Sequence, residues 1–353
     1  MDAIHKILNQ GTQLSQALTH CAEYIKNQQH LDGCIPWYAG QFADPWDHVE
    51  AAMGLTIGGH WEAAGNAYIW LADHQNLDGS WYSQYGEALA TDHELLEPTL
   101  KQSHHVAYLA VGLWHYYLCT HDKKLLRDLF RCLEKALEFV LALQSDHGDI
   151  AWAVDAQKGP LDDALITAGS SVYKSLGSAL NLCDLLDRDK PDWKIAYAKL
   201  GDALRNKPDR FDRHWQSKKR YSMDWFYPIL SGVVDKQQAR LLIKQRWPEF
   251  IIDDLGCLCV QDHPWVTTAE TAELCLALIN ADMPTQAEQL LLQLLQFQDD
   301  SDGGFWTGYV YPDDALWPEE KTTWSAAAIL LAADGLFQLT PGASIFTQHR
   351  PER

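Results

Sequence analysis

Basic residues are scarce in this chain: 28 Lys and Arg stand against 48 Asp and Glu over 353 residues, a net charge of −20. The deficit excludes nucleic acid as a partner, because binding there rests on neutralising phosphates with cations. It also argues against an anionic membrane surface. No apolar run is long enough to span a bilayer, and no basic-then-apolar signal opens the sequence. The eight cysteines lie mostly inside apolar helical runs, where a reduced thiol behaves as a small hydrophobe. A soluble protein of the cytoplasm is expected. β-branched alternating runs are rare as well, which leaves an all-α chain. No stretch rich in Pro, Gly or Ser divides the sequence, so residues 1–353 are expected to form one domain.

What is there is a repeat. Gln75-Asn-Leu-Asp-Gly79-Ser-Trp81 follows an apolar helical run, and variants of it follow other such runs. Gln29 leads through Gly33 to Trp37, Gln144 through Gly148 to Trp152, and Gln298 through Gly304 to Trp306. A motif that returns after each helix marks a repeat architecture. Between these amphipathic helices lie segments that are apolar on most sides, as helices covered all round must be. Six of them begin near Asp47, His105, Ser170, Asp224, Thr268 and Thr323, 44 to 65 residues apart. Six buried helices alternating with six amphipathic ones predict an (α/α)6 toroid, a double ring of helices with a central pocket at one end.

With its Gln-x₃-Gly-x-Trp pattern, the chain resembles the terpenoid cyclase and protein prenyltransferase superfamily over nearly its whole length. The resemblance implies the toroid, with the repeat Gln capping helix ends and stacking on Trp, and an enzyme acting on an isoprenoid. The superfamily's Asp-x-Asp-Asp-Thr-Ala acid motif is degraded here to Thr267-Thr-Ala-Glu270-Thr-Ala272. Its zinc ligands have no match beyond Cys257, Cys259 and His263, for which buried thiols are the stronger reading. The acidic run from Tyr311 to Glu320 reads first as a solvated loop and only second as a magnesium–diphosphate site. No cofactor is expected.

In a toroid the first turns of the inner helices line the mouth. The candidate catalytic groups there are Asp47, Glu50, Asp224, Glu270 and His105; the candidate substrate contacts are Asp44, Trp46, Tyr108, Tyr173, Trp225, Tyr227, Trp265 and Trp324. Acids at helix starts often serve only as caps. As a group, though, Asp47 and Glu50 share a helical face, and Asp224 sits among aromatics that should raise its pKa. Aromatic faces suit a carbocation or a stacked sugar equally. Three readings follow: an isoprenoid enzyme first, a carbohydrate-active toroid enzyme using paired carboxylates second, and a non-catalytic binding toroid third. A small-molecule substrate is the expected partner; oligomeric state is not readable.

Overall fold

The computed structural model describes residues 2–86 and 99–352. Its helices are α1 (Asp2–Gln28), α2 (Pro45–Ile57), α3 (Trp61–Asp73), α4 (Ser103–Ala107), α5 (Leu109–Thr120), α6 (Lys123–Leu141), α7 (Ile166–Leu185), α8 (Pro191–Asn206), α9 (Ser222–Leu230), α10 (Lys236–Phe250), α11 (Thr268–Asn280), α12 (Pro284–Leu294) and α13 (Thr323–Phe337). The inner ring runs α2, α4/α5, α7, α9, α11, α13 and back to α2, each packing on the next. The predicted all-α toroid is the observed fold. Small residues let the inner helices approach closely: a Cβ on Gly54 would stand 3.2 Å from the Cα of Ala327.

The repeat acts as a clasp between neighbouring outer helices. The side-chain amide of Gln29 donates to the carbonyls of Gly33 and of Ala63 on α3. Gln75 does the same to Gly79 and to Cys132 on α6, Gln144 to Gly148 and to Ala196 on α8, and Gln298 to Gly303 and to Ala17 on α1. Each glycine has φ between +81° and +100° and presses on a carbonyl one turn further along that helix. At Gly79 an added Cβ would lie 2.2 Å from the Lys135 oxygen. The residue two beyond the glycine is a large apolar side chain buried in every copy: Ile35, Trp81, Ile150 or Phe305. Only Trp81 is therefore a repeat tryptophan, and the last copy is centred on Gly303, not Gly304. The Gln residues bond to carbonyls rather than stacking on Trp. No helix among the described residues is long and apolar enough to cross a membrane.

Candidate active site

Three adjoining cavities occupy the N-terminal end of the inner ring. One of about 340 Å³ is bordered by Trp37, Phe42, Asp44, Asp47, His105 and Met223. A second, also about 340 Å³, is bordered by Trp37, Trp265, Glu270 and Trp324, and a third of about 380 Å³ by Trp152, Trp215, Asp224 and Glu270. Trp37, Phe42 and Trp324 face both the first and the second, Glu270 the second and third, and Gln102 and Met223 the first and third. They are chambers of one mouth. The opposite end of the toroid holds an apolar groove of about 530 Å³ between α1, α12 and α13, with no such convergence of acids.

The acids of α2 are set by its start. Asp44 is extended (φ −112°, ψ 155°) and caps the helix, accepting from the N–H groups of Trp46 at 2.9 Å and Asp47 at 3.0 Å. The Trp37 indole N–H donates to Asp44 Oδ2 at 3.1 Å and also to Asp47. Burial, with Asp44 and Glu50 close by, holds the Asp47 carboxyl well above the usual range, and the Trp37 hydrogen bond opposes that shift. Asp47 is thus disposed to keep a proton. One turn deeper, Glu50 accepts from Trp46 Nε1 at 3.0 Å and from the Tyr108 hydroxyl at 3.5 Å, and burial pushes it up to about 8.

That value has a consequence for stability. Between the ordinary glutamate range near 4.5 and about 8, folded Glu50 holds a proton that the unfolded chain releases, so its contribution falls as pH rises through that window. Replacing Glu50 with Gln should raise the denaturation midpoint at pH about 9 relative to wild type by more than it does at pH about 5. Equal shifts at both pH values would contradict the buried, protonated glutamate.

Beneath the mouth, Glu50 and Glu273 form a buried floor with two tyrosines. The Tyr227 hydroxyl donates to Glu273 Oε1 at 3.3 Å, and burial followed by the Glu50 charge raises Glu273 well above its ordinary value. Tyr108 and Tyr227 are 1% and 2% exposed, so they support Trp46 from below: its ring centroid lies 5.2 Å from Tyr108 and 5.6 Å from Tyr227. Glu273 was not among the sequence candidates, although it lies one turn from Glu270 on the same helical face.

On the far walls, burial, with the Asp212 charge adding, pushes Asp224 up to about 6, while Lys219, Arg246 and Lys218 oppose the shift. Glu270 stands where the second and third chambers meet and faces the Cys259 thiol, whose pKa is raised first by burial and then by the Glu270 charge. Trp265 donates from Nε1 to the Trp317 carbonyl at 2.7 Å, and Trp324 fills the wall between Asp47 and Glu270. His105 lies 3.9 Å from Asp44, and burial lowers its pKa against the pull of that carboxylate.

Five sequence candidates do not line the mouth: Glu50, Tyr108 and Tyr227 form the floor beneath it, because they lie a turn deeper on their helices, and Tyr173 and Trp225 point elsewhere. Tyr173 stacks on Tyr197 at 4.3 Å and donates to Glu352 at 2.8 Å, because α7 starts at Ile166 and carries Tyr173 two turns down. Trp225 packs outward on Phe250, centroids 5.8 Å apart. Cys257 is buried with its thiol toward the Leu258 carbonyl, and among the described residues no three His, Cys, Asp or Glu are grouped to hold a metal. Trp37, which the sequence pattern assigns to the repeat, belongs to the site. The signal that separates it is its place four residues after Gly33, where the clasp uses the second.

No protein-family model matches the chain. It is 40% identical over 325 residues, 92% of its own length and 87% of the other's, to the MMP endo-(1,4)-3-O-methyl-α-D-mannosidase of Mycolicibacterium hassiacum. The fold is shared with a wild-type glycosidase at TM-score 0.72 and 15% identity, covering 93% of this chain and 98% of that one. It is also shared with the GH63 mannosylglycerate hydrolase of Thermus thermophilus, solved with Tris and D-glycerate, at TM-score 0.66 and 15% identity over 89% and 99% of the two chains. These findings overturn the terpenoid cyclase and prenyltransferase resemblance and the isoprenoid function drawn from it. The Gln…Gly clasp reports how outer helices are joined, and that joint is indifferent to the chemistry inside the ring. With this identity running along nearly the whole of both sequences, the chain belongs to the family of the MMP endo-(1,4)-3-O-methyl-α-D-mannosidase.

Proposed function

We propose that the protein is a glycoside hydrolase that cuts within 1,4-linked chains containing 3-O-methyl-α-D-mannose. The observation that carries this reading is the convergence of Asp47, Asp224 and Glu270, from three different inner helices, on one aromatic mouth. Glycoside hydrolysis uses two carboxyl groups in different protonation states. Asp47, held protonated beside Asp44, gives its proton to the glycosidic oxygen as the bond from C1 to that oxygen breaks. Glu270, across Trp324, accepts a proton from the water that adds to C1. Glu50 touches no chamber and acts as a positioning residue through Trp46. Phe42, Met223 and Trp324 offer apolar wall for methyl ethers. The eight free thiols support the reducing cytoplasm as the compartment.

The test is incubation with 3-O-methylated 1,4-α-mannan oligosaccharides, products being resolved by mass and by anomeric NMR. Internal fragments from the methylated chain, in excess over those from its unmethylated counterpart, are expected; intact substrate would refute the reading. A finer test uses Trp37→Phe, which removes the N–H that favours the Asp47 carboxylate. The Asp47 pKa should then rise, so the basic limb of the kcat/KM profile should move to higher pH. A profile unchanged in both limbs would remove Asp47 from the acid role.

A further inference from the structure

The third chamber has features that the acid pair does not require. Trp152 meets Trp215 edge to face with centroids 5.1 Å apart, and the Lys218 ammonium stands 4.3 Å from the Trp215 ring centre and 5.5 Å from that of Tyr221. Trp215 and Tyr221 are 39% and 37% exposed, a pair of large rings left open at a cavity of about 380 Å³. Inside the chamber, His104 Nδ1, Trp152 Nε1 and Asp224 Oδ1 have no hydrogen-bond partner within the protein, although none of these residues is more than 8% exposed. Buried polar atoms are ordinarily paired, and three orphans lining one cavity call for a ligand with several hydroxyls. Lys218 makes no ion pair among the described residues, so its charge remains to hold the Trp215 ring and to donate to a ligand oxygen.

We propose that this chamber is a saccharide subsite of its own: it binds one hexopyranose unit of the substrate chain beyond the unit at Asp47, stacked at Trp215 and hydrogen-bonded by His104, Trp152 and Asp224. The proposal rests on the glycoside hydrolase reading. It adds that the enzyme measures chain length on the Glu270 side of the mouth, since Glu270 borders this chamber and Gln102 and Met223 connect it to the one that holds Asp47.

The experiment is binding of 3-O-methyl-α-mannan oligosaccharides of graded length to the Asp47→Asn protein, read by intrinsic tryptophan fluorescence and by calorimetry. In the otherwise unaltered chain, affinity should rise with each unit until the subsite is filled. Adding Trp215→Ala should cut the gain from the last unit by about tenfold, the scale on which truncating a tryptophan anchor acts. Trp215→Tyr, which keeps a ring face, should restore most of it. Trp61→Ala, an exposed tryptophan on α3 far from the chambers, serves as the control and should leave the length dependence unchanged. A length dependence identical in the Trp215→Ala and unaltered backgrounds overturns the subsite and leaves the hydrolase reading standing. Absence of binding at every length overturns both.

Discussion

Asp47→Asn is expected to lower turnover by about 10²- to 10⁴-fold, the range in which a positioned acid acts, while leaving the folded state as stable as before or more so. The stability half follows from the surroundings of the carboxyl. Asp47 is buried against Asp44 and Glu50 with its pKa raised, so an amide removes an acid that must take up a proton on folding, and its oxygen still accepts the Trp37 N–H. Glu270→Gln should lose activity on the same scale, because hydrolysis needs both ends of the proton path. Activity assays paired with thermal denaturation separate the outcomes. Full activity in both variants would sink the two-carboxylate mechanism, and inactivity accompanied by a collapsed Tm would return these residues to a merely structural role.

Gly79→Ala should be the most damaging single methyl in the outer ring. Its φ of +89° is costly for any side chain, and the new Cβ would lie 2.2 Å from a backbone oxygen that cannot swing aside. Gly40 offers the control: its φ is +82°, yet nothing lies within 4 Å of the position a Cβ would take. The conformational penalty is common to both, about 1 to 3 kcal/mol. The difference between the two variants in chemical denaturation therefore measures the clasp alone. Gly79→Ala is expected to exceed Gly40→Ala by about 2 kcal/mol or more. Equal losses would mean that the loop relaxes away from α6 and that the clasp is loose.

The toroid was legible because its two signals are local. Apolar periodicity marks the helices, and the Gln and Gly of each clasp lie four or five residues apart in sequence. The Asp44 cap, Asp47 and Glu50 were legible for the same reason, being set by one helix start. The carbohydrate-active reading stood second in the sequence and the comparisons favour it; the sequence could not rank it first, because the candidate acids Asp47, Asp224 and Glu270 lie on α2, α9 and α11 and no linear motif spans them. The segment Thr267 to Ala272, aligned on the degraded cyclase motif, coincides with the start of α11, and Glu270 is a candidate acid there on either family reading. In the ring it is one member of a distributed set. Tyr173 was misplaced by a helix start four residues earlier than expected. The Trp152–Trp215 chamber joins loops far apart in sequence, so nothing short-range announces it.

The clasps also bear on how such a ring drifts over time. Every hydrogen-bond partner of a clasp Gln on the adjoining outer helix is a main-chain carbonyl, of Ala63, Cys132, Ala196 or Ala17, and each clasp glycine lies against backbone atoms there, at Asn66, or against backbone and Cβ atoms, at Lys135, Lys199 or His20. A main-chain group is offered by any residue type, so mutation on one helix demands no compensating change on its neighbour. The joint constrains geometry and leaves the outer helices' side chains free to diverge. That freedom accords with the same ring persisting at 15% identity and a TM-score of 0.72.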